Sequence, residues 1–219
     1  MKNKMTQKRQ AMIEPTDKQA KAAEAVLATE PEPDSPALGR AAGGDVTQVG
    51  PRLSLDIDCR HGDWHGLEAA LAAQADFVWR YLDLPHAEVS LVLADSRFIA
   101  TLNETYRDKK GATNVLSFPA QDFTAPVSAG ALNDVPLPRL LGDIVLAHDV
   151  LCEEAKAQGK TLHDHMHHLL THGLLHLLGH DHMQEADAQL MEELEKNILA
   201  AQGRPDPYRS GRDEKAAGR

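Results

Sequence analysis

Leu53, Leu55 and Ile57 alternate with polar residues across Arg52–Asp58, the period-two pattern of a strand with one buried face. The period then changes. Trp64, Leu67, Leu71, Val78 and Leu82 fall on one helical face, with Asp63 placed to cap the start and Pro85 just past the end. Val89–Ala94 predicts a second strand. Asp95 then caps a helix that carries Phe98, Ile99, Leu102 and Tyr106. Asn114–Phe118 is a short third strand, closed by Pro119 and suited to a sheet edge. Leu141–Ala147 is rich in Val, Ile and Leu, as a buried fourth strand would be. Helices over roughly 148–158, 161–178 and 184–200 complete the pattern. Strands separated by helices predict an α/β (α+β) fold: a mixed four-stranded sheet packed with about five helices. Between the third and fourth strands, Pro119–Arg139 has four prolines and no periodicity, the mark of a functional loop or an insertion.

The ends break this order. Residues 1–50 mix Lys, Glu, Ala and Pro and cannot bury enough apolar surface to offset the entropy of ordering them. They predict a flexible extension, with at most a short helix over 16–29. Residues 201–219 predict a flexible basic tail, which leaves 51–200 as the domain. Charge divides the same way. The whole chain of 219 residues has a formal charge of −10, but residues 51–200 alone carry 11 basic and 23 acidic side chains. A protein that simply coats nucleic acid would be basic, so that class is disfavoured. The longest apolar run, Ala69–Ala73, is far too short to cross a bilayer, so no membrane partner is expected. Cys59 and Cys152 form neither a disulfide framework nor a CxxC pair, which fits a reducing cytoplasm.

Eight of the twelve histidines lie between His163 and His182. His172 and His176 are four apart, so on a helix they project from one face and can share a metal. Gly179 can take a left-handed conformation, end the helix and bring His182 back to the pair. His168 and His180 also lie at four-residue spacings and offer rival triads; the glycine turn favours 172/176/182. Three neutral nitrogens and an open position describe a catalytic-type zinc site holding one ion at the end of a helix. The H-x3-H-x2-G-x2-H spacing is that of metzincin proteases, but those enzymes place Glu after the first histidine. Here that position is Gly173, so a peptidase would lack its proton acceptor.

The stretch His172–His182 resembles the H-G-x-L-H-L-x-G-[HY]-D-H signature of the YbeY family. Leu102–Arg107, Thr113–Pro119 and Leu141–Ile144 are similar to that family's L-N-x-x-[YF]-R, T-[DN]-V-L-S-F-P and G-D-I motifs, in the same order. The resemblance covers roughly residues 51–200. It implies a metal-dependent endoribonuclease of ribosomal RNA maturation, with zinc as cofactor. It also implies action at the 3′ end of the small-subunit RNA and in ribosome quality control, with the small ribosomal subunit and its proteins as partners. Arg107 is then the candidate for gripping the scissile phosphate, since its planar fork makes paired charge-assisted hydrogen bonds; by itself it reads more readily as a helix-terminal arginine interacting with the helix dipole. Lys109 adds positive charge and Ser117 a hydroxyl as substrate-binding candidates. Asp181 or His180 could accept a proton from water, and Asp143 could make a structural hydrogen bond or orient a ligand histidine. The rival reading is an assembly factor with a structural metal that binds RNA or a ribosomal protein without cleaving; the acidic domain favours it and the open coordination position does not.

Overall fold

A computed structural model describes residues 52–121 and 139–209, together with 126, 127, 130 and 132. The expected extension over 1–50, its short helix, most of the 119–139 loop and the tail beyond 209 lie outside the described residues.

Four strands form one sheet in the order β1-β2-β4-β3: β1 Leu53–Cys59, β2 Ala87–Ala94, β3 Val115–Pro119 and β4 Leu140–Ala147. β1, β2 and β4 run parallel, while β3 pairs antiparallel to β4 and closes one edge. The mixed sheet follows the sequence pattern closely. β2 and β4 are central and buried along most of their length, as near-continuous apolar runs require. Five α-helices are present among the described residues: α1 Glu68–Tyr81, α2 Ser96–Arg107, α3 His148–Gln158, α4 Leu162–Leu177 and α5 Glu185–Ala201.

Helix starts separate one correct expectation, Asp95, from one error, Asp63. Asp95 caps α2 by accepting the Phe98 N–H at 2.9 Å, and Thr161 caps α4 by accepting the Asp164 N–H at 3.0 Å. Asp63 caps nothing. Gly62–Trp64 is a separate 3-10 turn, and Gly66 at φ 88° interrupts the chain before α1 begins at Glu68. Trp64 therefore leaves the helix face and is buried at the end of β2, its indole N–H donating to the Ala94 carbonyl at 2.8 Å.

α4 is the central helix. Met166, Leu169, Leu170, Leu174, Leu175 and Leu177 are all buried, and so are His165 and His167. Gly173 lets this helix lie close on the sheet. A β-carbon there would sit 3.1 Å from the Ile144 side chain and 3.2 Å from the Ser117 hydroxyl. The chain beyond 200 was expected to be a flexible tail. Its described part is instead fastened: Arg204 pairs with Asp164 at 3.0 Å, Lys160 donates to the Pro207 carbonyl, and the Tyr208 hydroxyl donates to Glu195.

Candidate metal centre

α4 places His172 and His176 one turn apart on a single face. The helix ends at Leu177, Gly179 adopts φ 84°, and its N–H donates back to the His176 carbonyl at 3.0 Å. The chain reverses there, as the sequence spacing requires, and His182 returns to the pair. One ring nitrogen from each of His172, His176 and His182 lies within 4.8 Å of the others.

The other ring nitrogens decide what these three can do. His172 Nδ1–H donates to Glu195 Oε1 at 2.8 Å, and His176 Nδ1–H donates to the His180 carbonyl at 2.9 Å. An imidazole whose Nδ1 carries the proton presents a lone pair at Nε2. The two Nε2 atoms face each other at 3.0 Å. Two lone pairs so directed repel unless a cation lies between them. Nitrogens on one tetrahedral zinc, bonded at ~2.0–2.1 Å, would be roughly 3.4 Å apart, so only a slight opening would admit the ion. Burial, reinforced by the neighbouring His172 and His182, lowers His176 to about 4 and keeps it neutral. The donor set thus fits a divalent metal.

Glu195 is fully buried, and sequence reasoning missed it. Burial pushes its carboxyl up, but hydrogen bonds from His168 and His172 outweigh that and hold it at about 2. A signal was available. Met191, Glu195, Ile198 and Leu199 form the buried stripe of α5, so a glutamate occupies a core-facing position at helical spacing. Asp143 does not orient a ligand: burial raises its carboxyl, and its partner is the Ser90 side chain on the neighbouring strand.

The remaining candidates divide. His168 hydrogen-bonds Glu195 Oε2 at 2.8 Å and stays outside the triad. His180 serves through its carbonyl. Asp181 is exposed and accepts the His182 N–H at 2.7 Å, which makes it part of the turn. The Ser117 hydroxyl donates to the Gly173 carbonyl at 3.3 Å, beside His172. Arg107 and Lys109 are exposed at and just beyond the end of α2. Tyr106 packs against Phe118 with ring centroids 5.7 Å apart, whereas the adjacent Ser117 faces α4. Alternation along β3 therefore sets α2 and α4 on opposite faces of this edge strand. No described contact joins Arg107 or Lys109 to the triad. Asn103 nevertheless fixes the loop that follows, donating to the Gly111 carbonyl at 2.9 Å while accepting the Lys109 N–H at its own carbonyl.

A second donor group, Cys59, His65 and Glu68, also lies within 4.8 Å. Its glutamate already accepts the Gly66 N–H at 2.7 Å, and His65 is exposed, as befits an ordinary helix start.

The family described as Endoribonuclease YbeY matches residues 64–203. The chain belongs to the YbeY family. An "Endoribonuclease YbeY" of Parvibaculum lavamentivorans is 49% identical over 172 residues, covering 78% of this chain and 92% of that protein. One from Jannaschia sp. is 45% identical, covering 71% of this chain and 99% of its own length. A Thermotoga maritima protein solved in solution aligns over 71% of this chain and 99% of its own, at 19% identity and a TM-score of 0.45.

Proposed function

We propose that this chain is a zinc-dependent, single-strand-specific endoribonuclease of ribosomal RNA maturation. It would act in the cytoplasm at the 3′ end of the small-subunit RNA and take part in ribosome quality control. The names of its relatives supply the reaction class. The observation that carries the metal is the pair of Nε2 lone pairs facing each other at 3.0 Å beside His182. A divalent ion held by His172, His176 and His182 supplies Lewis-acid polarisation of a phosphodiester and activation of water.

The chain's own groups do the rest. Glu195 and the His180 carbonyl hold the ligand imidazoles in the metal-ready tautomer. Arg107 grips the phosphate with its guanidinium, Lys109 adds positive charge to an acidic domain, and Ser117 offers a hydroxyl beside the ligand helix. Asp181, one residue before His182, is an exposed carboxylate on the ligand turn that would accept a proton. The domain begins at about residue 51 and takes in the fastened segment through Tyr208, and the small ribosomal subunit and its proteins are the partners. Structural zinc sites are closed by four protein ligands, whereas among the described residues this group has three, one of them the exposed His182, which favours catalysis over a scaffold role.

Metal content measured on purified protein, with cleavage of a single-stranded RNA assayed with and without chelator, tests the proposal. One bound zinc and chelator-sensitive cleavage are expected. Cleavage that persists after the metal is stripped would sink it.

A further inference from the structure

Glu195 stands among apolar neighbours on α5 with no exposed surface. A buried carboxylate is costly unless donors surround it. Here three donors converge from two separate parts of the chain. His172 reaches Oε1 at 2.8 Å. His168 reaches Oε2 at 2.8 Å, and the Tyr208 hydroxyl reaches the same oxygen.

Tyr208 is not held there by burial, since the residue remains 43% exposed. The ring packs edge-on to His168 at 5.4 Å, and Lys196 Nζ lies 5.2 Å above it. Its segment is tied down independently, through Arg204 to Asp164 and through the Pro207 carbonyl to Lys160. The segment after α5 is therefore arranged to deliver one hydroxyl to one buried oxygen. That oxygen belongs to the carboxylate that aims a metal ligand.

We propose that Glu195 is a positioning residue of the metal centre and that Tyr208 is its latch, so that the Arg204–Arg209 segment sets how firmly His172 is presented to the metal. The inference rests on reading the three histidines as a metal site. Glu195 fixes the Nδ1–H tautomer of His172 and the rotation of its ring. Tyr208 and His168 fix Glu195 in turn. Losing one donor loosens the hold on the carboxylate and weakens the alignment of His172 with His176.

The test uses the full chain with Glu195→Gln and Tyr208→Phe. Zinc affinity is measured by competition with a chromophoric chelator. The His172 tautomer is read from imidazole 15N shifts of metal-free protein, and urea stability is followed in parallel. Glu195→Gln is expected to weaken zinc binding about tenfold or more, as loss of an orienting partner typically does, and to turn the single His172 tautomer into a mixture. Tyr208→Phe is expected to shift both readouts in the same direction by less. If both variants bind zinc as the wild type does and keep its tautomer, whatever their stability, Glu195 only stabilises the fold and the inference is wrong. Should Glu195→Gln fail to fold, Tyr208→Phe decides alone, and unchanged affinity there overturns the proposal. A wild-type chain that binds no zinc would overturn the metal reading and this inference together; a wild type that binds, with variants equal to it, overturns this one only.

Discussion

A histidine nitrogen binds metal only while its lone pair is free, and in this chain that condition is met by the groups behind the ligands. His176 is the clearest case, with Nδ1 committed to the His180 carbonyl and Nε2 aimed at His172. His176→Ala is expected to abolish chelator-sensitive RNA cleavage and zinc binding together. It should also lower the melting temperature of the zinc-loaded protein, because metal affinity adds to folded-state stability. Calorimetry with and without zinc checks this: a variant that retains zinc-dependent stabilisation would rule His176 out as a ligand. Arg107 makes the opposite prediction. It is exposed, so Arg107→Ala should leave urea stability nearly unchanged. If its guanidinium stabilises charge on the reacting phosphate, cleavage should fall about a hundredfold, on the order of 3 kcal/mol. Equal cleavage rates in matched assays would remove Arg107 from the site.

At the scale of elements, two glycines that look alike in the sequence differ sharply in what they permit. Gly142 in β4 has φ 131°, and a β-carbon there would come within 2.1 Å of the Phe118 carbonyl oxygen and 2.8 Å of the Ala120 nitrogen. These are backbone atoms of the β3 end and cannot yield without breaking the pairing. Gly142→Ala is expected to cost about 3 kcal/mol or more in urea unfolding. Gly66 also has positive φ but meets nothing within 4 Å. Gly66→Ala should cost only about 1–2 kcal/mol; equal losses at the two positions would refute the crowding argument. The same contrast shows what was legible in advance. Strands and most helices were, because alternation and helical spacing are local properties, and Gly179 was, because the histidine spacing demanded a turn. Asp63 misled because a short 3-10 turn ended by Gly66 leaves the same apolar residues as a continuous helix start. Glu195 was invisible as a partner of His172, since nothing local says which buried group two helices will share. Gly173 signalled a missing proton acceptor, whereas its packing on Ile144 and Ser117 emerges only once the sheet is formed.

For the molecule as a whole, the same histidine-rich helix that carries the metal centre also sets a limit on acid stability. His167 is buried between α4 and its neighbours, only 4% exposed. Burial first, then the positive charge of Arg204, lowers it from an ordinary 6.5 to about 4. Between these two values the unfolded chain takes up a proton that the folded one refuses, so stability must rise with pH across that interval. The contribution is complete above about 6.5, falls as the pH drops, and is exhausted near 4. Over the whole window it amounts to about 3 kcal/mol. Glu195, held at about 2, acts in the same direction but lower, its share being lost only as pH falls below its ordinary 4.5. The two effects are therefore separable on the pH axis. Urea unfolding of metal-free protein from pH 7 to 4.5 should show a steep loss of stability in the wild type. In His167→Leu, which keeps a side chain of similar bulk without a titrating group, that slope should be shallower by a large part of the same amount. It should not vanish, because burial also lowers His165, His176 and His180. Parallel pH profiles for the two proteins would show that His167 reaches a proton in the folded state and that the interior of α4 is open to water.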